Sequence, residues 1–361
     1  MKNNWSHIRT PTLLIDEKRV RRNIHRMVTK AARAGKVFRP HFKTHQSRAI
    51  GEWFRDEGVS HITVSSVGMA EYFASNGWNN ITIAFPCNLR QIDRIDELAS
   101  KIDISILVDS EDVAEQISKL VNHKLRVFVE IDTGSERTGI RYDNPEAIMR
   151  LYALIEESEF LEFAGIYSHA GHTYACRSRE EVKKTANEAI DRLEQVAAVF
   201  EKKIGVCYGD TPGCTVLDDF GDIITDLSPG NFVFYDMMQV HIGVCEVDDI
   251  GVVLCCPVVT EKTIEPVVTL YGGAVHFSKE QLDDKSFGKV AMLNPSGWED
   301  SVVGSLERIS QEHGMVRLDG VTAKAGDVLA ILPVHSCLTA ECMAKYLTLN
   351  GVYLDHYQKS R

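Results

Sequence analysis

Several kinds of segment are missing from this 361-residue sequence, and each absence excludes a class of protein. No apolar run approaches the roughly 18 residues that a membrane-spanning helix needs, so no membrane partner is expected. The first twenty residues contain no long apolar stretch, so we expect no signal peptide and a cytoplasmic protein. No internal repeat or low-complexity segment is present, which argues against a fibre or a disordered chain.

Positively charged residues are fewer than negatively charged ones. The chain has 40 Lys and Arg residues against 51 Asp and Glu residues, which gives a formal net charge of −11. An acidic surface repels phosphate backbones, so nucleic acid is not an expected partner. A hydrophobic content of 44% and a charged content of 25% are those of an ordinary globular chain. The length suggests two or three domains, or one barrel with an appendage.

The nine cysteines include no Cys-X-X-Cys pair, and their number is odd. Most lie within apolar, strand-like runs, as the buried and reduced thiols of a cytosolic protein do. The sequence therefore excludes a disulfide framework and predicts that eight of the cysteines are buried, inert thiols. The ninth, Cys337, follows a histidine by two residues.

Short apolar runs alternate with helical patterns through the first two thirds of the chain. Eight runs begin at Val37, His61, Ile81, Ile104, Arg126, Glu162, Gly205 and Ile224. Several are apolar almost throughout, as parallel strands covered on both faces are. Apolar residues at three- and four-residue spacing predict helices over 111–121, 144–156 and 179–200. This alternation predicts a (β/α)₈ barrel in an α/β protein.

Beyond Cys245 the sequence becomes rich in short β-type runs with turn residues between them. Only a weak helical pattern near Gln281 interrupts, so a mostly antiparallel β domain is predicted. The predicted division gives a barrel over 13–245 and a β domain formed by 1–12 with 246–361. The strand-like run WSHIRTPTLLID near the N terminus is a candidate partner strand for this β domain.

A lysine follows the first predicted barrel strand in the sequence RPHFKTH. Barrel active sites form where the strands end. Nearby positive charge and burial both lower the pKa of a lysine, and an amine with a lowered pKa suits Schiff-base chemistry. Lys43 is therefore the first candidate catalytic residue, with a solvated rim lysine as the alternative interpretation.

Further candidate binding groups follow later strands at the same end of the predicted barrel. They are Arg137 in EIDTGSERTGI, the residues His169, His172 and Tyr174 in SHAGHTY, the residues Gly209, Thr211 and Gly213 in GDTPGCT, and Gly230 and Asn231 in SPGN. The last two loops follow strands seven and eight, where barrels commonly bind phosphate. A reactive lysine together with two phosphate loops favours pyridoxal 5′-phosphate as the cofactor.

With these motifs the chain resembles a fold-type III pyridoxal-phosphate enzyme, and more particularly the D-serine dehydratase and D-threonine aldolase family. The resemblance covers essentially the whole chain and is strongest in TPTLLID, RPHFKTH, EIDTGSERTGI, SHAGHTY, SPGNFVFYD and VHSC. It implies an alanine-racemase-like barrel, a D-amino acid as the small-molecule substrate, and a homodimer. In that dimer the barrel of one subunit would face the β domain of the other.

The resemblance also implies roles for individual residues. Lys43 would hold the cofactor covalently, and Arg137 would lie against its ring, with Tyr174 as a further cofactor contact. The phosphate would be bound by Gly209, Thr211, Gly213, Gly230 and Asn231. One residue departs from the family pattern, because Asp210 stands where a hydroxyl residue is usual.

A candidate metal site lies in the sequence PVHSC. His335 and Cys337 would point to the same face of a strand and could bind one ion. A thiolate with an imidazole suits Zn²⁺, whereas a carboxylate in place of the thiol would suit Mn²⁺ or Mg²⁺. A core cysteine beside an unrelated histidine is the alternative. The resemblance favours the metal site, because the family's dehydratases carry His-X-Cys here and its aldolases His-X-Asp.

Together these features favour a metal-dependent lyase that acts on D-amino acids with a β-hydroxyl. The preferred reaction is elimination of water from D-serine or D-threo-3-hydroxyaspartate, with Lys43 taking the α-proton and Zn²⁺ activating the hydroxyl. The alternative is retro-aldol cleavage to glycine and an aldehyde, with His169 or His172 as the base and Mn²⁺ or Mg²⁺ as the metal. A racemase, with Tyr271 as a candidate second base, and a non-catalytic cofactor-binding protein are further alternatives.

Overall fold

The computed structural model describes residues 5–261 and 266–358, and the chain divides into two units. Residues 25–230 form the barrel unit, and residues 5–24 with those from 231 to 358 form the β unit. The units thus group 13–24 and 231–245 with the β unit, whereas the division predicted from the sequence placed them in the barrel. One reason is strand β1, Thr12–Ile15, which pairs within the sheet of the β unit.

The helices predicted from the apolar spacing are confirmed. The α-helices of the described residues are α1 Glu17–Arg33, α2 Arg48–Asp56, α3 Val67–Ala74, α4 Ile92–Ala99, α5 Glu111–Leu120, α6 Pro145–Glu157, α7 Arg179–Ala197, α8 Thr211–Val216, α9 Met237–His241 and α10 Ser336–Met343. The predicted helices correspond to α5, α6 and α7. In α6 the side chain of Asn144 caps the first turn by accepting from the N–H of Ala147 at 3.2 Å. None of the helices in the described residues is long and apolar enough to cross a membrane.

A parallel sheet forms the barrel unit. Its strands are β2 Val37–Phe38, β3 His61–Val64, β4 Asn80–Pro86, β5 Asp103–Val108, β6 Leu125–Asp132, β7 Ile140–Arg141, β8 Leu161–His169, β9 Val206–Gly209 and β10 Asp226–Leu227. The order is β2-β10-β9-β8-β6-β5-β4-β3, with β7 beside β6. A parallel bridge between His41 and Thr63 joins the β2 segment to β3. The predicted eight-stranded barrel is thereby confirmed.

The barrel brings its strand ends together. Apolar side chains such as Leu107, Phe128 and Tyr167 pack in its core, which explains why the strands are apolar almost throughout. Because parallel strands all end at the same edge, the loops after β2, β6, β8, β9 and β10 meet at one mouth. These loops carry the candidate cofactor residues.

A mostly antiparallel sheet forms the β unit. Besides β1, its strands are β11 Val252–Glu261, β12 Val267–Tyr271, β13 Gly288–Asn294, β14 Gly297–Ile309, β15 His313–Leu318, β16 Val328–Pro333, β17 Tyr346–Thr348 and β18 Tyr353–Leu354. The order is β12-β15-β14-β13-β16-β11-β1-β17-β18. Thr12 lies opposite Cys255 in an antiparallel pairing, which confirms that the N-terminal run joins the β domain.

The weak helix predicted near Gln281 is wrong. Residues 272–287 contain turns and no helix. The side chain of Asp284 accepts from the N–H of Ser286 at 3.1 Å, and Lys285 has a φ of 66°, which ends any helical path. This turn-rich stretch, called the acidic loop below, carries Glu280 and Asp283.

Candidate active site

Lys43 follows the last residue of β2 by five positions, at the mouth of the barrel unit. The backbone N–H of Lys43 donates to Nδ1 of His41 at 3.3 Å, and the side chain of Gln46 donates to the Lys43 carbonyl at 3.2 Å. The preceding Phe42 is fully buried, and its ring packs against that of Phe54 at 4.9 Å. The residue before the lysine is thus anchored in the core, while Lys43 itself is half-buried at the mouth.

Two histidines near Lys43 are held in their neutral form. Burial, followed by the charge of Lys43, lowers the pKa of His41 well below its usual value. Burial, Lys43 and Arg137 together lower the pKa of His169 to about 3. Nδ1 of His169 lies 2.7 Å from the carbonyl oxygen of Gly209, so this nitrogen carries the hydrogen and Nε2 is the basic one. Lys43 and Arg137 therefore supply the positive charge of this cluster.

Arg137 lies in a loop shaped by a single carboxylate. Oδ1 of Asp132 accepts from three successive backbone N–H groups, those of Gly134 at 2.9 Å, Ser135 at 2.8 Å and Glu136 at 3.1 Å. The side chain of Arg137 is exposed. The bonds to Asp132 fix the backbone that leads to the arginine, so the guanidinium is presented from an ordered loop.

The same loop is tied at its far end by two more carboxylates. The hydroxyl of Thr138 donates to Oε1 of Glu130 at 2.8 Å, and the N–H of Gly139 donates to Oδ2 of Asp109 at 3.0 Å. Gly139 has a φ of +99°, and a Cβ there would lie 2.9 Å from the backbone nitrogen of Asp132. The glycine in ERTGI is therefore required by the close approach of two backbone segments.

Two glycines of the candidate phosphate loops are buried where a side chain would not fit. A Cβ on Gly209 would lie 2.8 Å from the carbonyl oxygen of Ser228, and one on Gly230 would lie 3.0 Å from the carbonyl oxygen of His41. Thr211 is fully buried beside these glycines in sequence. Backbone N–H groups and a threonine hydroxyl are the kinds of donor that bind a phosphate, so the residues present fit the cofactor's phosphate.

Asp210, the departure from the family pattern, caps helix α8. Its Oδ2 accepts from the N–H of Gly213 at 2.5 Å and from the hydroxyl of Thr173 at 2.8 Å. Burial raises the pKa of Asp210 to about 6, although the hydrogen bonds to its carboxylate act in the opposite direction. A Cβ on Gly213 would lie 2.7 Å from Oδ1 of Asp210. The carboxylate of Asp210 therefore forms hydrogen bonds with Gly213 of its own loop and with Thr173.

The residues of SHAGHTY separate into two groups. His169 ends β8, and its ring centroid lies 6.4 Å from that of Tyr174. His172 lies in a short 3₁₀ turn, where burial and then the charge of Arg192 lower its pKa. The structure thus brings His169 close to Tyr174 and to the charges of Lys43 and Arg137, while His172 faces Arg192 of α7.

The candidate metal pair lies at the start of α10, not on a strand. Strand β16 ends at Pro333, His335 precedes the first turn of α10, and the N–H of Ser336 donates to Oδ2 of Asp236 at 3.0 Å. The strand predicted for this sequence is therefore wrong, because the carboxylate of Asp236 satisfies the first N–H of a helix. The His335 imidazole still donates a hydrogen bond to the side chain of Cys337, so the two candidate ligands do lie together.

Acidic side chains surround His335. Its Nδ1 lies 2.8 Å from Oε2 of Glu280. Burial alone would lower the pKa of His335, but Cys337, Glu280 and the charge of Asp236 raise it to about 11. Among the described residues, no group of three or more His, Cys, Asp or Glu side chains could hold a metal ion. A pair of protein ligands leaves coordination positions open for water and substrate.

Glu280 is the functional candidate that sequence reasoning missed. It precedes His335 by 55 residues, in the stretch where a helix was predicted. A histidine that binds a metal commonly donates its other N–H to a carboxylate, but no local spacing indicates which carboxylate does so. The segment carries three carboxylates and two lysines, so its composition gives no signal either.

Asn231 lies in the β unit beside the metal pair. Its Nδ2 lies 2.6 Å from Oδ2 of Asp236, 3.1 Å from Oγ of Ser336 and 3.6 Å from Sγ of Cys337. Burial raises the pKa of Asp236, against the hydrogen bonds that it accepts. The amide of Asn231, expected at the phosphate, is thus engaged by the residues that position Cys337.

All nine cysteines are free thiols, as predicted. Five are buried, but Cys87 and Cys245 are half-buried and Cys342 is exposed. The predicted burial is therefore wrong for Cys342, because it lies in α10 rather than in a strand. Burial raises the pKa of Cys87 to about 12, as expected for an inert thiol.

Comparison with known proteins gives matches over most of the chain. Residues 15–216 match the alanine racemase N-terminal domain family, and residues 252–349 match the serine dehydratase domain family. The chain is 26% identical to D-serine dehydratase of Dictyostelium discoideum, over 96% of this chain and 94% of that protein. It is 27% identical to D-threo-3-hydroxyaspartate dehydratase of Delftia sp. (strain HT23), over 94% of each chain.

A solved structure of a dehydratase is also similar to this chain. A Cys-to-Ala mutant of D-threo-3-hydroxyaspartate dehydratase in the metal-free form has a TM-score of 0.89 and 25% identity, over 99% of this chain and 100% of that chain. The family expected from the motifs is therefore confirmed. The chain belongs to the alanine racemase N-terminal domain family, within the fold-type III pyridoxal-phosphate enzymes that include the D-serine dehydratases.

Proposed function

We propose that the protein is a pyridoxal-phosphate- and zinc-dependent lyase that eliminates water from a D-amino acid with a β-hydroxyl. D-Serine and D-threo-3-hydroxyaspartate are the candidate substrates. The observation that carries the proposal is the hydrogen-bonded pair of His335 and Cys337 at the start of α10. The names of the two dehydratase relatives support it.

The mouth of the barrel unit is proposed to hold the cofactor. Lys43 would bind it covalently, Arg137 and Tyr174 would contact it, and the phosphate would be bound by Gly209, Thr211, Gly213 and Gly230. When bound, pyridoxal phosphate supplies an electron sink for the bond broken at the α-carbon. Asn231 stays a predicted phosphate residue, and its side-chain amide also contacts Asp236.

Within this cluster the proton at the α-carbon is proposed to pass to Nζ of Lys43. A lysine that would hold the cofactor lies beside the reacting carbon. Its amine, when free, can act as a general base there. His169 stays neutral beside it, so its Nε2 can accept a hydrogen bond without adding a positive charge. The charge of Arg137 favours the anionic groups of the cofactor and the substrate.

The metal is proposed to bind His335 and Cys337. A thiolate and an imidazole form a donor set that suits Zn²⁺, and the acidic surroundings of His335 favour a cation. A bound Zn²⁺ supplies a Lewis acid that makes the β-hydroxyl a better leaving group. Cys337 in place of an aspartate is the feature that favours dehydration over retro-aldol cleavage.

Product analysis tests this proposal directly. The purified protein is incubated with D-serine, D-threonine and L-serine, and the products are quantified. We expect pyruvate and ammonia from D-serine, and 2-oxobutanoate and ammonia from D-threonine, because elimination gives an enamine that hydrolyses to a keto acid. Glycine and acetaldehyde as the main products from D-threonine would refute the dehydratase and establish the aldolase alternative. In a separate incubation with D-alanine, formation of L-alanine would establish a racemase.

The assembly and the location are proposed as a cytoplasmic homodimer. The free state of all nine thiols supports a reducing compartment. Light scattering at micromolar concentration checks the dimer, and a mass near that of one 40.4 kDa chain would refute it.

A further inference from the structure

We infer that Glu280 is a positioning residue for the metal site, acting through His335. The inference rests on the proposed function, because it concerns the metal that His335 and Cys337 would bind. Glu280 belongs to the acidic loop, whereas His335 immediately precedes α10 and Cys337 lies in its first turn.

The contact between Glu280 and His335 selects one nitrogen of the imidazole. Oε2 of Glu280 lies 2.8 Å from Nδ1, so this nitrogen carries the hydrogen and donates it. The opposite nitrogen, Nε2, is then the one that can bind a metal. A carboxylate on the outer nitrogen fixes the tautomer and the ring orientation and raises the basicity of the metal-binding nitrogen.

The acidic loop contains a second pair of the same kind. Oδ2 of Asp283 lies 2.9 Å from Nε2 of His241, at the end of α9. Both pairs join a carboxylate of the loop to a histidine, and both carboxylates are partly exposed. Only the Glu280 pair involves a candidate ligand. Asp283 therefore provides a matched control for any effect of simply fastening the loop.

Two alternatives are separated by this control. If Glu280 only fastens the loop, removal of either carboxylate should have a similar effect on the site. If Glu280 orients His335, only its removal should weaken metal binding. The charge-neutral Glu280→Gln keeps an oxygen that can accept from Nδ1–H, so it should retain part of the affinity that Glu280→Ala loses.

The test measures Zn²⁺ affinity by competition with a chromophoric chelator, on full-length protein with its pyridoxal phosphate bound. Wild type, Glu280→Ala, Glu280→Gln, Asp283→Ala and Cys337→Ala are compared, and circular dichroism verifies folding. We expect Glu280→Ala to weaken Zn²⁺ binding by about 10- to 100-fold. Glu280→Gln should lie between it and wild type, and Asp283→Ala should stay within about twofold of wild type. Of the two alanine variants in the acidic loop, Glu280→Ala should shift the absorption of bound Co²⁺ and Asp283→Ala should leave it unchanged.

Each contrary result has one meaning. Unchanged affinity in Glu280→Ala, with Cys337→Ala impaired, would overturn the positioning role and leave the metal site standing. An equal loss in Asp283→Ala would overturn it in favour of loop fastening. Absence of Zn²⁺ binding by the wild type would refute the proposed metal itself, and the inference with it.

Discussion

Histidines in the two units of this protein have opposite protonation preferences. In the barrel unit, burial and the charges of Lys43 and Arg137 lower the pKa of His169 to about 3. In the β unit, burial would also lower the pKa of His335, but Cys337, Glu280 and Asp236 raise it to about 11. The surroundings of His169 thus favour a neutral imidazole, whereas those of His335 favour a positive charge.

This difference indicates what each cluster is built to bind. The barrel cluster already contains two fixed cations, so a further positive charge is disfavoured and an anion such as a phosphate or a carboxylate is favoured. The pair in the β unit is surrounded by acidic groups, so a cation is favoured there. A cofactor phosphate and a metal ion are the respective ligands that fit this contrast.

Removal of the lysine should have the largest effect. Lys43→Ala removes the covalent attachment and the proposed base, so we expect turnover to fall by at least roughly 10²–10⁴-fold. The visible absorption band of lysine-bound pyridoxal phosphate should also vanish, which a spectrum of the purified variant checks. A yellow variant with an unchanged band would show that another lysine holds the cofactor.

Removal of the Cys337 thiol should affect the metal site alone. Cys337→Ala should weaken Zn²⁺ binding by more than about 100-fold, because a direct ligand contributes more than an outer carboxylate does. The cofactor band should remain, since Cys337 belongs to the other unit. In Cys337→Asp the preference should shift toward Mn²⁺, because a carboxylate is a harder ligand. If Zn²⁺ and Mn²⁺ restore the turnover of wild type and of Cys337→Asp in the same ratio, the type of ligand does not set the metal preference.

The neutral state of His169 should appear in the pH dependence of stability. Its pKa is about 3 in the folded chain against 6.5 for the free side chain, so the unfolded chain binds the proton first as the pH falls. This group's contribution is present above pH 6.5 and is lost progressively toward pH 3. Between pH 7 and pH 4.5 the loss should be about 2–3 kcal/mol, at 1.36 kcal/mol for each pH unit below 6.5. Urea unfolding of wild type and His169→Asn at several pH values measures this loss. If the free energies of unfolding of the two proteins fall in parallel as the pH falls, His169 does not contribute it.

The glycines of the phosphate loop should have the smallest effect. Gly213→Ala places a Cβ 2.4 Å from the Tyr208 hydroxyl, so the loop must shift at a cost of about 1–2 kcal/mol. We also expect weaker binding of pyridoxal phosphate, measured by titration of the cofactor-free protein. The control is Gly51→Ala, whose Cβ would meet nothing closer than 3.5 Å. Equal cofactor affinity in wild type and Gly213→Ala would remove this loop from the phosphate site.

Sequence patterns predicted the barrel unit better than the details of the β unit. The apolar runs define the barrel strands because both faces of a parallel sheet are covered, and the order of strand and loop then places Lys43 and Arg137 at one end. His335 and Cys337 were identified, but their local structure was not, because Asp236, about 100 residues earlier, caps the helix. Glu280 was missed for the same reason, since its partner lies 55 residues away.

We propose that this one chain combines a lysine-held cofactor with a catalytic zinc. This proposal is tested most directly by pyruvate formation from D-serine with zinc-loaded, EDTA-treated and zinc-restored protein, while the cofactor band is recorded. We expect chelation to abolish pyruvate formation while the band remains, and Zn²⁺ to restore turnover better than Mg²⁺. Undiminished pyruvate formation by metal-free protein would contradict it.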